Sequence, residues 1–188
     1  DCFSGFATLQ CRAHAVWADY LSTSMKDDFR YTPSRCLGNF PFPQPDPRTV
    51  LPELEDIGQR LYDARAKYMV DEQVGLTVTY NRLKDPAVDD PRILDLRRLH
   101  EEMDAAVLRA YGWSDIAVPP FCLATDEDKK ALEAFENEVI DRLFALNAQR
   151  AEEERLAGAA AKPAAKKKRG TTNRKARPEQ PTLFGDDE

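Results

Sequence analysis

The sequence predicts a mainly α-helical fold with a small α+β piece at its N-terminus and a disordered basic tail at its C-terminus. Apolar residues recur every three or four positions through most of the first 150 residues, which is typical of amphipathic helices. Prolines at every second position from Pro41 to Pro47 exclude both a helix and a central strand there. Residues 158–179 hold almost no apolar side chain except alanine, so they cannot bury enough surface to offset chain entropy.

The first segment, residues 1–45, combines a helix pattern with a strand pattern. One amphipathic helix of about three turns is predicted by residues at helical spacing: Phe6, Leu9, Ala13, Val16, Trp17 and Tyr20. Polar and apolar residues then alternate from Asp28 to Thr32, which predicts a short strand. The proline-rich stretch that follows should be an extended connector anchored by Phe40 and Phe42, and we place a domain boundary within it, after Pro45.

The second segment, residues 46–157, is predicted to be a helical domain. Helical spacing covers 51–68 and 93–110, and Gly112 is a suitable stop for the second of these helices. A third helix would be capped by Thr125, with acidic residues in its first turn, and should pack as far as Leu156. We expect these side chains to form the core or to anchor it: Leu99, Met103, Val107, Tyr111 and Trp113.

The charge of the chain is divided between an acidic body and a basic tail. The 188 residues carry −6 in total, but residues 158–188 hold eight Lys and Arg against four Asp and Glu, a net of +4. The first 157 residues therefore carry −10. No run approaches the roughly 18 apolar residues that span a bilayer, so we expect no membrane partner and a cytoplasmic location. The chain begins without Met or a signal peptide, which favours a piece of a longer protein.

Residue patterns that support catalysis are scarce. The two histidines, His14 and His100, lie on predicted helices, and we favour packing roles for them over general-base catalysis. Val118-Pro119-Pro120-Phe121 lacks the Asn, Asp or Ser that would hydrogen-bond a flipped-out adenine. Phe3-Ser4-Gly5-Phe6 lacks the second glycine of a cofactor loop. We therefore expect no catalytic residue, metal or cofactor in this chain, and free buried thiols at its four cysteines.

Short motifs follow one another in a characteristic order through the first 150 residues. In the first segment they are Leu9-Gln10, His14, Trp17, Leu21-Ser22-Thr23-Ser24, Phe29-Arg30-Tyr31-Thr32, Cys36 and Phe40-Pro41-Phe42-Pro43. In the second they are Leu61-Tyr62-Asp63-Ala64-Arg65, Thr79-Tyr80-Asn81-Arg82, Asp85-Pro86, Leu99-His100, Met103-Asp104, Ala106-Val107 and Ala110-Tyr111-Gly112-Trp113. This order resembles the end of the target-recognition domain and the helical C-terminal domain of MmeI-like and other type IIG restriction–modification enzymes, which are large single-chain adenine-specific DNA methyltransferases.

The resemblance implies a DNA-recognition role within a longer parent enzyme. The catalytic motifs, and the site for the methyl donor S-adenosylmethionine, would lie in an upstream methyltransferase domain of that parent. Recognition domains read base edges in the major groove, and hydroxyl and cationic side chains beside a strand suit base and phosphate contacts. We therefore expect double-stranded DNA to be contacted by Ser22, Ser24, Lys26, Arg30 and Arg35.

An alternative stays open for this cluster, because Arg30 and Arg35 could simply pair with Asp27 and Asp28. The helical domain is expected to support the recognition domain rather than touch DNA, since an acidic surface repels phosphate.

The tail carries two further hypotheses. Eight cationic residues lie within sixteen positions: Lys162, Lys166, Lys167, Lys168, Arg169, Arg174, Lys175 and Arg177. Such a stretch can bind DNA without sequence preference by releasing counterions, although a solubilising tail would look the same. Beyond it, Gln180, Leu183 and Phe184 form a Gln-x-x-Leu-Phe pattern that looks like the peptide by which many bacterial proteins dock on the replication sliding clamp.

Two functions therefore remain in competition at the level of sequence, beside a helical scaffold without any role on DNA. The first is the DNA-recognition and supporting C-terminal segment of a site-specific adenine DNA methyltransferase, which is not catalytic by itself. The second is a non-enzymatic helical interaction module whose tail binds DNA or the sliding clamp.

Overall fold

A computed structural model describes residues 2–22 and 31–160 of the chain, and within those ranges it consists of seven α-helices and no strand. The helices are α1 Phe3–Gln10, α2 Arg12–Leu21, α3 Pro33–Cys36, α4 Pro52–Glu72, α5 Leu76–Lys84, α6 Pro91–Tyr111 and α7 Asp126–Ala160. The prediction of a mainly α-helical fold is confirmed. None of the described helices is long and apolar enough to cross a membrane.

The N-terminal segment differs from its prediction in two respects. The single expected helix is interrupted at Cys11, whose backbone is extended (φ −71°, ψ 160°), so that α1 and α2 are separate helices. The break places the backbone N–H of Arg12 where it donates to Asp104 Oδ1 at 2.8 Å. Of the expected strand, Tyr31 and Thr32 adopt no strand structure, and Asp28 to Arg30 lie outside the described residues. The small α+β piece is therefore not found in the part of the chain that is described.

The three predicted helices of the second segment are confirmed as α4, α6 and α7. Gly112 ends α6 in the left-handed conformation (φ 77°), as its position after Tyr111 predicts. Thr125 caps α7: its Oγ1 accepts from the backbone N–H of Asp128, whose carboxylate in turn accepts from the N–H of Thr125. Such reciprocal pairs satisfy the free N–H groups at a helix start.

Helix α5 was not predicted, because it is short and carries β-branched residues, which favour helices only weakly. Its stability comes from tertiary packing, since Thr79 and Leu83 have no exposed surface. The Thr79 hydroxyl also donates to the carbonyl of Gly75, where the helix starts.

One hydrophobic core joins the two segments. Helix α1 packs on α4, α4 on α6, and α2 on α7. The approach of α1 to α4 is so close that a Cβ atom at Gly58 would stand 2.4 Å from the carbonyl oxygen of Phe3. Trp17 and Phe40 of the first segment share a core with Met103 and Val139 of the second. The domain boundary at residue 45 stays a prediction, and the described halves are packed together.

The expected core and anchor residues occupy the places predicted for them. Leu99, Met103 and Val107 are at most 2% exposed. Tyr111 stacks on Trp113 with 4.4 Å between the ring centres, and its hydroxyl donates to the carbonyl of Pro41. The proline-rich connector adopts neither helix nor strand, and Phe40 within it is 5% exposed.

Helix α7 extends farther than its contacts with the core. Leu143 is the last of its described side chains to be fully buried, and Arg150 donates to the carbonyls of Phe42 and Pro43. Leu156, where packing was expected to end, is 54% exposed. That expectation was wrong by about two helical turns, counted from Arg150. The helix also continues to Ala160, three residues into the predicted tail.

Candidate DNA-contact site

Two of the five residues predicted to face DNA lie in the described part of the chain. Ser22 follows the last residue of α2, and Arg35 lies on α3, which packs against α2. The other three, Ser24, Lys26 and Arg30, lie outside the described residues, as do the clamp-peptide residues Gln180, Leu183 and Phe184.

Ser22 is engaged in ending its own helix. Its hydroxyl donates to the carbonyl of Asp19 at 2.8 Å, and its backbone N–H donates to the same oxygen. A hydroxyl oxygen that has given its proton away can still accept a hydrogen bond. While this bond is made, Ser22 can accept from a base amine, and donation to a phosphate requires its hydroxyl to rotate away from Asp19.

Arg35 is exposed on a short, tightly anchored turn. The buried Cys36 beside it donates its thiol proton to the carbonyl of Ala18 on α2, with 3.8 Å between sulfur and oxygen. The turn closes at Gly38, where a Cβ atom would stand 2.7 Å from the carbonyl oxygen of Ser34. These contacts fix the backbone of α3 and leave the cationic side chain in solvent.

A tyrosine–histidine contact that the sequence does not predict fixes the chain beside α3. The Tyr31 hydroxyl and His14 Nε2 are 3.2 Å apart, and the His14 ring packs edge-on against Phe40 at 4.7 Å. Burial lowers the pKa of His14, so this ring is neutral at pH 7. Ser22 and Tyr31, which flank the segment that carries the other predicted contacts, are therefore both attached to α2.

An ion pair between the first residue of α2 and a buried carboxylate on α6 links distant parts of the chain. Arg12 Nε donates to Asp104 Oδ2 at 2.6 Å, and its two terminal nitrogens donate to the carbonyls of Pro119 and Pro120. Asp104 is 3% exposed, and burial raises its pKa although Arg12 opposes the shift. The Pro-Pro-aromatic stretch thus serves as a hydrogen-bond acceptor for Arg12.

His100 is a packing residue, as expected. It is 2% exposed and stacks on Phe121 with 4.4 Å between ring centres. Burial, aided by the charges of Arg65 and Arg12, lowers the pKa of His100 to about 3. A histidine with so low a pKa is a poor general base at neutral pH.

Metal-binding and thiol chemistry are not concentrated anywhere in residues 2–22 and 31–160. Within these ranges no group of three or more His, Cys, Asp and Glu side chains is arranged to hold a metal ion. Cys11 and Cys36 are buried free thiols, as expected, whereas Cys122 is half-buried and Cys2 is exposed.

Comparison with characterised proteins finds a similarity to DNA methyltransferase A of Bacillus subtilis (strain 168). The two sequences are 31% identical over 104 residues, which cover 55% of this chain and 10% of that protein. The match therefore spans about a tenth of the length of the relative. No family model and no solved structure matches the chain. The similarity supports the methyltransferase relation implied by the sequence motifs, whereas the type IIG and MmeI-like assignment stays a prediction.

Proposed function

We propose that this chain is the DNA-recognition and supporting C-terminal segment of a site-specific adenine DNA methyltransferase of the restriction–modification type. The similarity to DNA methyltransferase A over more than half of the chain carries the proposal. The partners are double-stranded DNA, an upstream methyltransferase domain that binds S-adenosylmethionine and, for the terminal peptide, the replication sliding clamp.

The arrangement around α2 supports a recognition role for its end. Ser22 follows α2, and Arg35 lies on α3, which packs against α2. Tyr31 contacts His14 of α2, and α2 is itself packed on α7. A contact residue on a fixed backbone loses less entropy on binding than one on a free chain. The Arg12–Asp104 pair holds the start of the same helix against α6.

The charge pairing of the helical block supports a bracing role for it. Most of its arginines are engaged with carboxylates, as in Arg60–Glu102, Arg82–Glu72, Arg92–Asp90, Arg98–Asp95, Arg109–Glu53 and Arg142–Asp115. An arginine that already neutralises a carboxylate contributes little net attraction for phosphate. The block therefore offers DNA few free cations, and its acidic surplus opposes close approach.

The recognition role is tested by replacing Arg30 and Arg35 with alanine in the full-length parent enzyme. Each lost contact to a base or phosphate should weaken DNA binding by about 1–3 kcal/mol, so we expect about tenfold or greater loss in affinity for the methylated site. Arg48→Ala is a matched control, since its side chain is 92% exposed and its carboxylate neighbour, Asp46, is 3.7 Å away. Unaltered methylation and binding in the double variant would refute the assignment.

The tail is tested by removing residues 161–188 from the full-length parent. If the eight cationic residues neutralise phosphates, the slope of log K against log salt should become shallower by up to about 7. A control that lacks only residues 180–188 keeps all eight cations and should keep the slope. An equal slope in the parent and the deletion would show that the tail does not contact DNA.

A further inference from the structure

A cleft of about 480 Å³ lies behind the Arg12–Asp104 pair and has no role in the proposed function. It is lined by residues of α1, α2, α5, α6 and α7 and of the loop that precedes α7. Its volume falls within the range of sites that bind small organic ligands.

One wall of the cleft is aromatic. His100 and Phe121 are stacked with an angle of 24° between their rings, and the Tyr80 ring centre lies 5.7 Å from that of His100. Leu123 and Leu132 add apolar surface. His100 is 2% exposed and Phe121 covers its ring, so the surface on which a planar ring can stack comes from the half-buried Phe121 and Tyr80.

The polar lining divides into paired and unpaired groups. Asp104 and Arg12 are paired with each other, as described above. Gln10 accepts from Arg65 through Oε1, which leaves its amide N–H groups as donors. Within the described ranges, the ammonium of Lys84 and the carboxylate of Glu136 form no ion pair. The cleft therefore presents donors at Gln10 and Lys84 and an acceptor at Glu136.

This lining indicates which ring and which polar substituents a ligand should have. A flat ring suits the aromatic wall, a ring carbonyl suits Lys84 and Gln10, and an amine suits Glu136. Lysine pairs with guanine O6 and N7, and glutamate accepts from cytosine N4. Adenine has the amine but no carbonyl, and thymine has carbonyls but no amine. We propose that the cleft between Tyr80, Phe121, Lys84 and Glu136 binds a nucleobase that carries both groups, guanine or cytosine.

The base could belong to a free nucleoside or to an unstacked position in a DNA strand, which present the same ring. Neither source depends on the Arg30 and Arg35 contacts, so this proposal and the DNA-recognition role can fail separately.

The test measures binding of the full chain to guanosine, cytidine, adenosine and thymidine by calorimetry and ligand-observed NMR. A parallel series uses single-stranded homo-oligonucleotides. We expect guanosine and cytidine to bind at least fivefold more tightly than adenosine and thymidine. If only the oligonucleotides show this preference, the ligand is a base within a strand. Absence of a preference in both series would overturn the proposal.

Three variants locate the site. Lys84→Ala should weaken binding of the preferred bases several-fold, and Leu123→Trp, which fills the cleft, should abolish it. Lys129→Ala, an exposed lysine that pairs with Asp126 outside the cleft, is the matched control and should bind as the unaltered chain does. Unchanged binding in Leu123→Trp, with a native circular dichroism spectrum, would place the ligand elsewhere and refute the assignment.

Discussion

Proton uptake by His100 in the unfolded chain should make the fold sensitive to mild acid. The folded state keeps this ring neutral down to about pH 3, whereas an exposed histidine in the unfolded chain takes up a proton near pH 6.5. Between these values the unfolded state binds more protons, so stability falls as the pH falls. Above about pH 6.5 His100 is neutral in both states and does not lower the free energy of unfolding. Below it the loss of stability grows, and it is complete near pH 3.

The magnitude follows from the separation of the two pKa values. Each pKa unit corresponds to about 1.4 kcal/mol, and roughly one and a half units are crossed between pH 7 and pH 5, so His100 should cost about 2 kcal/mol over this interval. Carboxylates with lowered pKa, such as Glu72 and Asp90, change the stability of the fold mainly at more acid pH. With a urea m-value of about 2 kcal/mol per molar, the unfolding midpoint should shift by about 1 M.

The assay is urea unfolding at pH 7 and pH 5, followed by tryptophan fluorescence, for the unaltered chain and for His100→Gln. Glutamine cannot be protonated, so the variant should lose about 2 kcal/mol less stability over the same interval. His14, whose pKa is also lowered, acts in the same direction in both proteins and cancels in the difference. Equal losses in the two proteins would refute the reasoning.

Two predictions concern packing. Arg12→Leu leaves the Asp104 carboxylate buried without its cation. It should lower the free energy of unfolding by about 3–5 kcal/mol at pH 7, measured by urea unfolding. If an Arg12→Leu, Asp104→Asn double variant recovers no stability, the unpaired carboxylate is not the cause. Gly58→Ala forces a Cβ atom against backbone and should cost about 1–3 kcal/mol, whereas Gly75→Ala, where a Cβ meets nothing within 4 Å, should cost far less. Equal thermal shifts in the two alanine variants would exclude the close helix contact as the cause.

The long helices could be predicted because their signals are local. The apolar stripes of α4, α6 and α7 repeat over several turns, and Gly112 and Thr125 mark two of their ends within a few residues. The break at Cys11 could not be predicted, because the backbone N–H of Arg12 that it frees from the helix donates to Asp104, 92 positions away. A pattern that is read over one helix contains no information about such a contact.

The candidate site was predictable only in part, for the same reason. The exposure of Arg35 follows from its charge and from a short turn between Pro33 and Cys36. The contact between His14 and Tyr31 joins residues that neither a helix period nor a strand period brings together. The cleft around His100 was also missed, because its lining comes from five helices and a loop whose packing no single stretch encodes.

The length of α7 determines how strongly the acidic body can influence the charges beyond Ala160. From Arg150, which still contacts the proline-rich connector, to Ala160 is ten residues, or about 15 Å of helix. Physiological salt screens charges over about 8 Å, so the potential of the body falls to roughly a seventh across this distance. The charges that act at Ala160 therefore come mainly from the last turns of α7 itself, where Glu152, Glu153 and Glu154 outnumber Arg155, rather than from the packed core.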